Sequence, residues 1–372
     1  MKHRLIDRRI RQFAFLPALI LAAGLALGCA LPSPVPVEDG GTAALTYDSA
    51  AAASSSSSSG AYAVDVTDMA GNAVRLSEPA SRIVVLDPAD CEILFAIGAG
   101  DLVVGRTSGC DYPSETNVIP FVTVDNKTDP DLVLLREPQL VVMSAEDAAD
   151  ADLISALASA GVQTVVTNAP DINGAYSAIS LLGSVTGRSA EATALVSNLI
   201  TSLAELQGKI SQHDQTVYVE LSPLSSGLTT AGGNTIVSAL ISFLGFHDEF
   251  EDQAGFLSIT PDQVVGRSPD YILTTTAASA SETGSPEETT VPDETTVPDE
   301  TAAPDGTTQD GESQSSDSPV SEIGSRTDWD TIDAVKNNRV FYIDPGLITR
   351  AGPRLAEAAG ALYSILYEGV QP

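Results

Sequence analysis

The feature that most constrains the fold is one long helical stretch with alternating short segments on both sides. Residues 174–212 carry a helical pattern with one break at residues 186–189. After the break, apolar side chains recur at spacings of three and four, which predicts a helix of roughly 30 Å with one buried face. On both sides, short β-branched segments alternate with helical ones, as in βαβ units. The pattern predicts an α/β fold of two lobes with central, mainly parallel sheets, joined by one long rigid helix.

The predicted strands also place a binding cleft. In the first lobe they cover residues 82–86, 102–105, 140–143 and 162–166, and in the second residues 216–221, 271–275 and 340–343. Ligands of α/β folds bind beyond the carboxyl ends of the strands. Two lobes that face each other would therefore share one cleft there.

The first 61 residues predict an export signal and a tether. Residues 1–28 combine a basic start with an apolar run at 13–27, which is typical of a signal peptide and short for a membrane span of roughly 20 residues. The run ends in LALGC at residues 25–29, which resembles the lipobox of bacterial lipoproteins and implies acylation of Cys29. An ordinary secretory signal or an uncleaved anchor is the alternative. Residues 29–61 then form a lipid-anchored tether, predicted to be disordered because it is rich in serine and alanine.

The remaining chain divides into three predicted parts and one insert. The N-terminal lobe covers residues 62–172, the linker helix region 173–212 and the C-terminal lobe 213–372. Residues 277–325 interrupt the second lobe with prolines every six positions, many acids and no lysine or arginine from 281 onward. Such composition predicts an extended, disordered acidic insert.

Composition excludes several classes of function. The chain has 18 basic and 50 acidic residues, a net charge of -32, which argues against nucleic acid as a partner because phosphates need lysine and arginine. Three histidines and three cysteines argue against a dedicated metal site rich in histidine or cysteine. The G-x-S-x-G, H-E-x-x-H and phosphate-loop motifs are missing from the sequence, so we expect no enzyme.

An ordered set of segments resembles the bacterial substrate-binding proteins of ABC importers that capture cobalamin, haem and ferric siderophores. The segments are RIVVLDPADCEILFAIGAG at 82–100, VGRTSGCDYP at 104–113, PDLVLL at 130–135, AGGNT at 231–235, ITPDQVVGRSPDYI at 259–272, AVKNNRV at 334–340 and RAGPRL at 350–355. The resemblance implies a monomer that hands an iron chelate or a corrinoid to an ABC permease and its ATPase subunits. It implies no cofactor of the protein's own, although the ligand would carry iron or cobalt.

Seven residues are candidates for ligand contact. Tyr112 follows a strand and would stack on a flat ligand or pack beneath its loop. Arg350 would pair with ligand carboxylates, or with Arg354 would fix the last helix by ion pairs. Gly233 and Asn234 precede a helix, where backbone N–H groups would meet a ligand or only cap the helix. The other candidates are Asp90, Cys110 and Asp125, the last standing where cobalamin-specific members carry Trp.

Four residues have other predicted roles. Cys91 and Cys110 form either a disulfide or two free thiols in an exported protein. Members of the resembling family dock on the permease through one acid in each lobe. The resemblance places these acids at Asp262 and, near a mismatched Pro120, at Glu115.

The alternative function is a surface adhesion or sensor protein that reuses the binding-protein fold and works through its acidic insert.

Overall fold

The structure, a computed structural model, describes residues 63–276 and 319–371. The described residues belong to one folded unit, Ser59–Pro372. The predicted signal, Cys29 and tether lie outside the described residues, as does most of the predicted insert.

The N-terminal lobe is built on a parallel four-stranded sheet. Its strands are β1 (Val64–Thr67), β2 (Ala73–Leu76), β3 (Ile83–Val85), β4 (Val103–Arg106), β5 (Thr123–Val124), β6 (Lys127–Thr128), β7 (Leu140–Ser144) and β8 (Gln163–Thr167), and its helices are α1 (Pro88–Ala96), α2 (Pro130–Leu134) and α3 (Ala151–Ser159). The sheet order is β4-β3-β7-β8, while β1-β2 and β5-β6 are antiparallel hairpins. All three residues of β3 are buried, because a parallel strand is covered on both faces.

Two helices follow the N-terminal lobe and form the predicted linker region. They are α4 (Ile172–Thr186) and α5 (Ser189–Gln207), so the predicted break at residues 186–189 is present. The helices cross closely at Gly183, where an added Cβ would lie 2.4 Å from the Cβ of Ala192. The predicted apolar face of α5 is buried at Ala192, Leu199 and Leu203. One hydrophobic cluster runs through these helices and joins the cores of both lobes.

The C-terminal lobe repeats the α/β plan. Its strands are β9 (Thr216–Glu220), β10 (Thr229–Ala231), β11 (His247–Asp248), β12 (Phe256–Ser258), β13 (Tyr271–Thr274) and β14 (Val340–Tyr342), and its helices are α6 (Ile236–Phe243), α7 (Pro261–Arg267), α8 (Pro319–Gly324), α9 (Asp333–Lys336), α10 (Pro345–Ile348) and α11 (Leu355–Tyr363). The order β11-β9-β13-β14 is parallel, and β10 pairs with β12 antiparallel. Among the described residues, no helix is long and apolar enough to cross a membrane.

The end of the predicted insert requires a correction. The prediction extends disorder to residue 325, whereas α8 forms a helix at Pro319–Gly324. Ile323 is buried in the second core cluster. Arg326 follows. Its two terminal guanidinium nitrogens bind Glu220 at 2.5 and 3.0 Å, and one of them also binds Glu322 at 2.7 Å. An apolar anchor and a buried ion pair therefore order this stretch, which acidic composition alone did not predict.

One buried acid in the C-terminal lobe destabilises the fold at neutral pH. Asp248 in the edge strand β11 is buried, and its Oδ1 accepts a hydrogen bond from the Phe250 amide at 3.0 Å. Its Oδ2 has no partner among the described residues. Burial raises the pKa of Asp248 from 3.8 to about 6. Since the folded protein holds this proton more tightly than the unfolded chain, stability is lost as the pH rises from 3.8 through about 6.

We therefore expect Asp248→Asn to stabilise the protein above pH 6. The amide keeps the acceptor for Phe250 and removes the buried charge, so the free energy of unfolding at pH 7.5 should rise by about 1–3 kcal/mol. At pH 4 the variant and the natural protein should unfold alike. Urea unfolding at both pH values measures this, with Asp214→Asn, an exposed acid, as the control. An equal shift at both pH values would contradict the assignment.

Candidate ligand-binding cleft

A cleft of about 630 Å³ lies between the two lobes. The N-terminal lobe lines it with residues 87–90, 144–146 and 167–170, and the C-terminal lobe with 234–236, 255–256, 345–346 and 349–351. The three N-terminal segments begin at or just beyond the carboxyl ends of β3, β7 and β8, and residues 345–346 follow β14. The cleft therefore lies where parallel strands end, as the order of elements predicted.

Two carboxyl groups occupy the N-terminal side of the cleft. Asp87 caps α1, and its Oδ1 accepts hydrogen bonds from the amides of Ala89 and Asp90 at 2.7 and 3.3 Å. Asp90 is 2% exposed, and its Oδ2 accepts a hydrogen bond of 2.6 Å from the Thr167 hydroxyl. Burial, followed by the neighbouring Asp87 charge, raises the pKa of Asp90 well above its ordinary value. The predicted site residue Asp90 thus lines the cleft.

The C-terminal side contributes an amide and an aromatic ring. Asn234, at a φ of 61°, lines the cleft, and its side chain makes no hydrogen bond to another described residue. Phe256 in β12 lines the cleft with 61% of its surface exposed. An aromatic face and an open carboxamide suit a ligand that is partly flat and partly polar.

Gly233 does not line the cleft and serves the packing of its loop. Its amide donates to the Gln253 carbonyl at 2.8 Å, and the Gly232 amide donates to Gly255 at 2.9 Å. A Cβ at Gly233 would lie 2.5 Å from the Glu251 carbonyl oxygen. The backbone donors predicted for a ligand at Gly233 are therefore already used inside the protein.

Arg350 lines the cleft, but its guanidinium is paired with acids of the protein. Its guanidinium contacts Glu92 at 2.9 Å, Asp111 at 2.8 Å and the Gly109 carbonyl at 3.2 Å. Arg354 binds the same Glu92 through two bonds of 2.8 and 2.6 Å. Of the two predicted roles for these arginines, the structure supports the ion pairs: they join the C-terminal lobe to α1 of the N-terminal lobe.

Three other predicted ligand residues lie outside the lining of the cleft. The ring of Tyr112 is 46% exposed, and the Arg354 guanidinium stacks over it at 4.2 Å from its centroid. Cys110 is fully buried. Asp125 has a φ of 49° in the two-residue turn between β5 and β6, which favours Asp and Asn. Tyr112 and Cys110 were predicted from a strand end and Asp125 from the resemblance to cobalamin-specific members, whereas the structure uses all three for packing or a turn.

Cys91 and Cys110 are both buried free thiols in the structure. A hydrogen bond between them raises the pKa of Cys91 and lowers that of Cys110. The two side chains are thus neighbours, and the disulfide stays a prediction.

The predicted docking acids are both exposed and lie in different lobes. Asp262 is in the first turn of α7, and Glu115 is in a short 3₁₀ helix at Ser114–Val118. Neither forms an ion pair with another residue in the described ranges.

Within those ranges, no group of three or more His, Cys, Asp or Glu is arranged to hold a metal ion.

Sequence reasoning missed one residue that lines the cleft and one that joins the two lobes beside it. Phe256 lies in a strand of only three residues after Gly255, so no alternation of polar and apolar positions marks its exposed face. Glu92 lies within a helix whose neighbours are apolar, and that buried acid was the available signal.

Substitution of Glu92 should strongly destabilise the protein. The Glu92 side chain is 1% exposed and those of Arg350 and Arg354 are 15% exposed, so Glu92→Ala leaves two guanidinium groups without their shared carboxylate. Removal of one partner of a buried pair costs about 3–5 kcal/mol. Asp111→Asn is the matched control, because Asp111 pairs with Arg350 from the surface and should contribute less than about 1 kcal/mol. Urea unfolding compares them, and equal effects would contradict the role of Glu92.

Comparison with known proteins finds one matching family and several similar proteins. A sequence model of the family described as periplasmic binding protein matches residues 83–347. An uncharacterized ABC transporter substrate-binding lipoprotein of Bacillus subtilis, YvrC, is 27% identical over 82% of this chain and 86% of its own. A cobalamin-binding protein of Halobacterium salinarum is 25% identical over 58% of this chain and 60% of its own.

Solved structures share the fold at lower identity. The periplasmic heme-binding protein RhuT from Roseiflexus has a TM-score of 0.61 at 21% identity, over 78% of this chain and all of that one. An ABC-type Fe3+-hydroxamate transport protein from Saccharomonospora viridis has a TM-score of 0.60 at 16% identity, over 82% of this chain and all of that one. These matches confirm the predicted two-lobed α/β fold. Because its family match spans both lobes and the cleft between them, the chain belongs to the periplasmic binding protein family, whose members bind solutes for transport and are not enzymes.

Proposed function

We propose that this protein captures a metal chelate outside the cytoplasmic membrane and delivers it to an ABC permease with its ATPase subunits. The observation that carries the proposal is the cleft of about 630 Å³ between the lobes, a size typical of small-molecule sites. The chelate is an iron complex, either a siderophore or haem, or a corrinoid. The named functions of the relatives support these three ligand types, and the protein works without a cofactor of its own.

The anchor and the assembly state complete the proposal. Acylation at Cys29 would hold the protein at the outer face of the membrane, and the name of the B. subtilis relative, a lipoprotein, supports this. Two or more acyl chains give a stable anchor, whereas one chain is marginal. The protein acts as a monomer, since each chain carries both halves of its cleft.

Calorimetric titration of the purified protein with cyanocobalamin, haem and ferrioxamine B tests ligand capture. We expect at least one of them to bind with micromolar or tighter affinity. Phe256→Ala should weaken that ligand by about tenfold, because a stacked ring contributes about 0.5–1.5 kcal/mol beyond its buried area. Phe121→Ala is the matched control, since Phe121 is 49% exposed outside the cleft. Binding of none of the three would contradict the chelate assignment.

Docking on the permease is tested separately from ligand binding. In vesicles that contain the permease, Asp262→Lys and Glu115→Lys should each reduce the ligand-stimulated ATP hydrolysis by about tenfold. Members of the resembling family pair these acids with arginines of the membrane subunits, which a lysine would repel. Ligand affinity should stay unchanged. Asp214→Lys, at an exposed acid of the C-terminal lobe, is the control. Unchanged ATP hydrolysis in a variant would contradict the docking role of that residue.

A further inference from the structure

The charges of the cleft are strongly unbalanced. Asp87, Asp90 and Glu146 line it, and Arg350 is the one basic side chain among its lining residues. Burial raises the pKa of both Asp87 and Asp90, and the charge of Asp147, which is adjacent to the cleft, adds to both shifts. An anionic ligand would therefore enter a site with three carboxyl groups and one guanidinium.

The charge of that guanidinium is already paired with carboxylates of the protein. Arg350 contacts Glu92, Asp111 and the Gly109 carbonyl, at 2.9, 2.8 and 3.2 Å. The Glu92 carboxylate is buried and also holds Arg354, so a ligand that took Arg350 away would leave a buried charge less well paired. Among the residues that line the cleft, a carboxylate therefore meets no cation whose charge is not already paired.

Hydrogen-bond acceptors in the cleft, in contrast, remain available to a ligand. Oδ1 of Asp90 accepts no hydrogen bond from any residue in the described ranges, although the side chain is 98% covered and lines the cleft. Across the cleft, the Asn234 carboxamide is likewise without a hydrogen bond from the described residues. These groups can receive N–H and O–H donors, and the carboxamide can also donate.

We infer that the cleft selects uncharged or cationic chelates, whose peripheral amide or ammonium groups donate to Asp90, and rejects chelates whose periphery carries carboxylates. The inference rests on the proposed function and names the chemical class of its ligand. It replaces the predicted pairing of Arg350 with ligand carboxylates.

A proton linkage accompanies this selection. The groups that face Asp90 are Asp87, Asp147, the Cys110 thiol and the Thr167 hydroxyl. A ligand donor next to Asp90 favours its ionised form, which releases a proton on binding. Affinity for an amide or ammonium ligand therefore increases with pH through the titration of Asp90, whereas a carboxylate ligand favours protonated Asp90 and loses affinity over the same range.

The test uses matched pairs that differ only in whether peripheral groups carry carboxylates. The pairs are N-acetyl and N-succinyl ferrioxamine B, cyanocobalamin and its monocarboxylate, and haem diamide and haem. For whichever core binds, we expect the amide form to bind the full-length protein about tenfold or more tightly than the carboxylate form at a pH above the titration of Asp90, because like charges in contact cost several kcal/mol. Within that titration, calorimetry in two buffers of different ionisation enthalpy should show proton release with the amide form.

A variant locates the selection at Asp90. Asp90→Asn should bring the two affinities to within about threefold and abolish the proton release, whereas Asp101→Asn, at an exposed acid of the same lobe, should leave both unchanged. The comparison of paired ligands on the natural protein stands even where the variant folds poorly. Equal or tighter binding of the carboxylate form would overturn the charge selection while leaving capture intact. Binding of no core would overturn the proposed function and the inference together.

Discussion

The Glu92 carboxylate fixes how the two lobes face each other. It lies in α1 at the N-terminal lobe, is 1% exposed and receives guanidinium groups from Arg350 and Arg354 in the C-terminal lobe, at 2.9 and 2.6 Å. A charge in such a place is costly unless it is paired, so the lobes must keep the arrangement that pairs it. The apolar cluster that runs through α4, α5 and α11 holds the same arrangement from behind. Together these contacts oppose wide opening of the cleft.

The character of the cleft follows from this structural use of its arginines. Both basic residues near the opening are directed to Glu92, and Arg354 also covers one face of Tyr112. What remains for a ligand is the carboxyl edge of Asp87 and Asp90, the Asn234 amide and the Phe256 ring. A single set of ion pairs therefore holds the lobes together and removes positive charge from the binding surface.

Local rules predicted the parts of the fold that depend on neighbouring residues. Strand β3 and the break between α4 and α5 were recognisable from β-branched runs, helical periodicity and a Thr-Gly boundary. The partner of Arg350 was not recognisable, because Glu92 is 258 residues away and nothing in either local pattern identifies the pair. Phe256 was not predicted for a different reason, since its exposure results from a three-residue strand at the cleft. Sequence predicted where the cleft lies, while long-range packing decided which side chains line it.

Glu220 does for the C-terminal lobe what Glu92 does between the lobes. It is fully buried at the carboxyl end of β9, where its backbone carbonyl accepts from the Thr275 amide at 3.0 Å and its side chain binds Arg326. Thr275 lies just before residues 277–318 and Arg326 lies just after them. Glu220 therefore binds the chain on both sides of this segment. The chain therefore leaves and re-enters the lobe beside Glu220. The pairing of β9, β13 and β14 involves only residues outside this segment. The sheet can therefore keep its geometry whatever the length and composition of the sequence between the flanks, which explains how a long acidic repeat is accommodated within a lobe whose core is continuous around it.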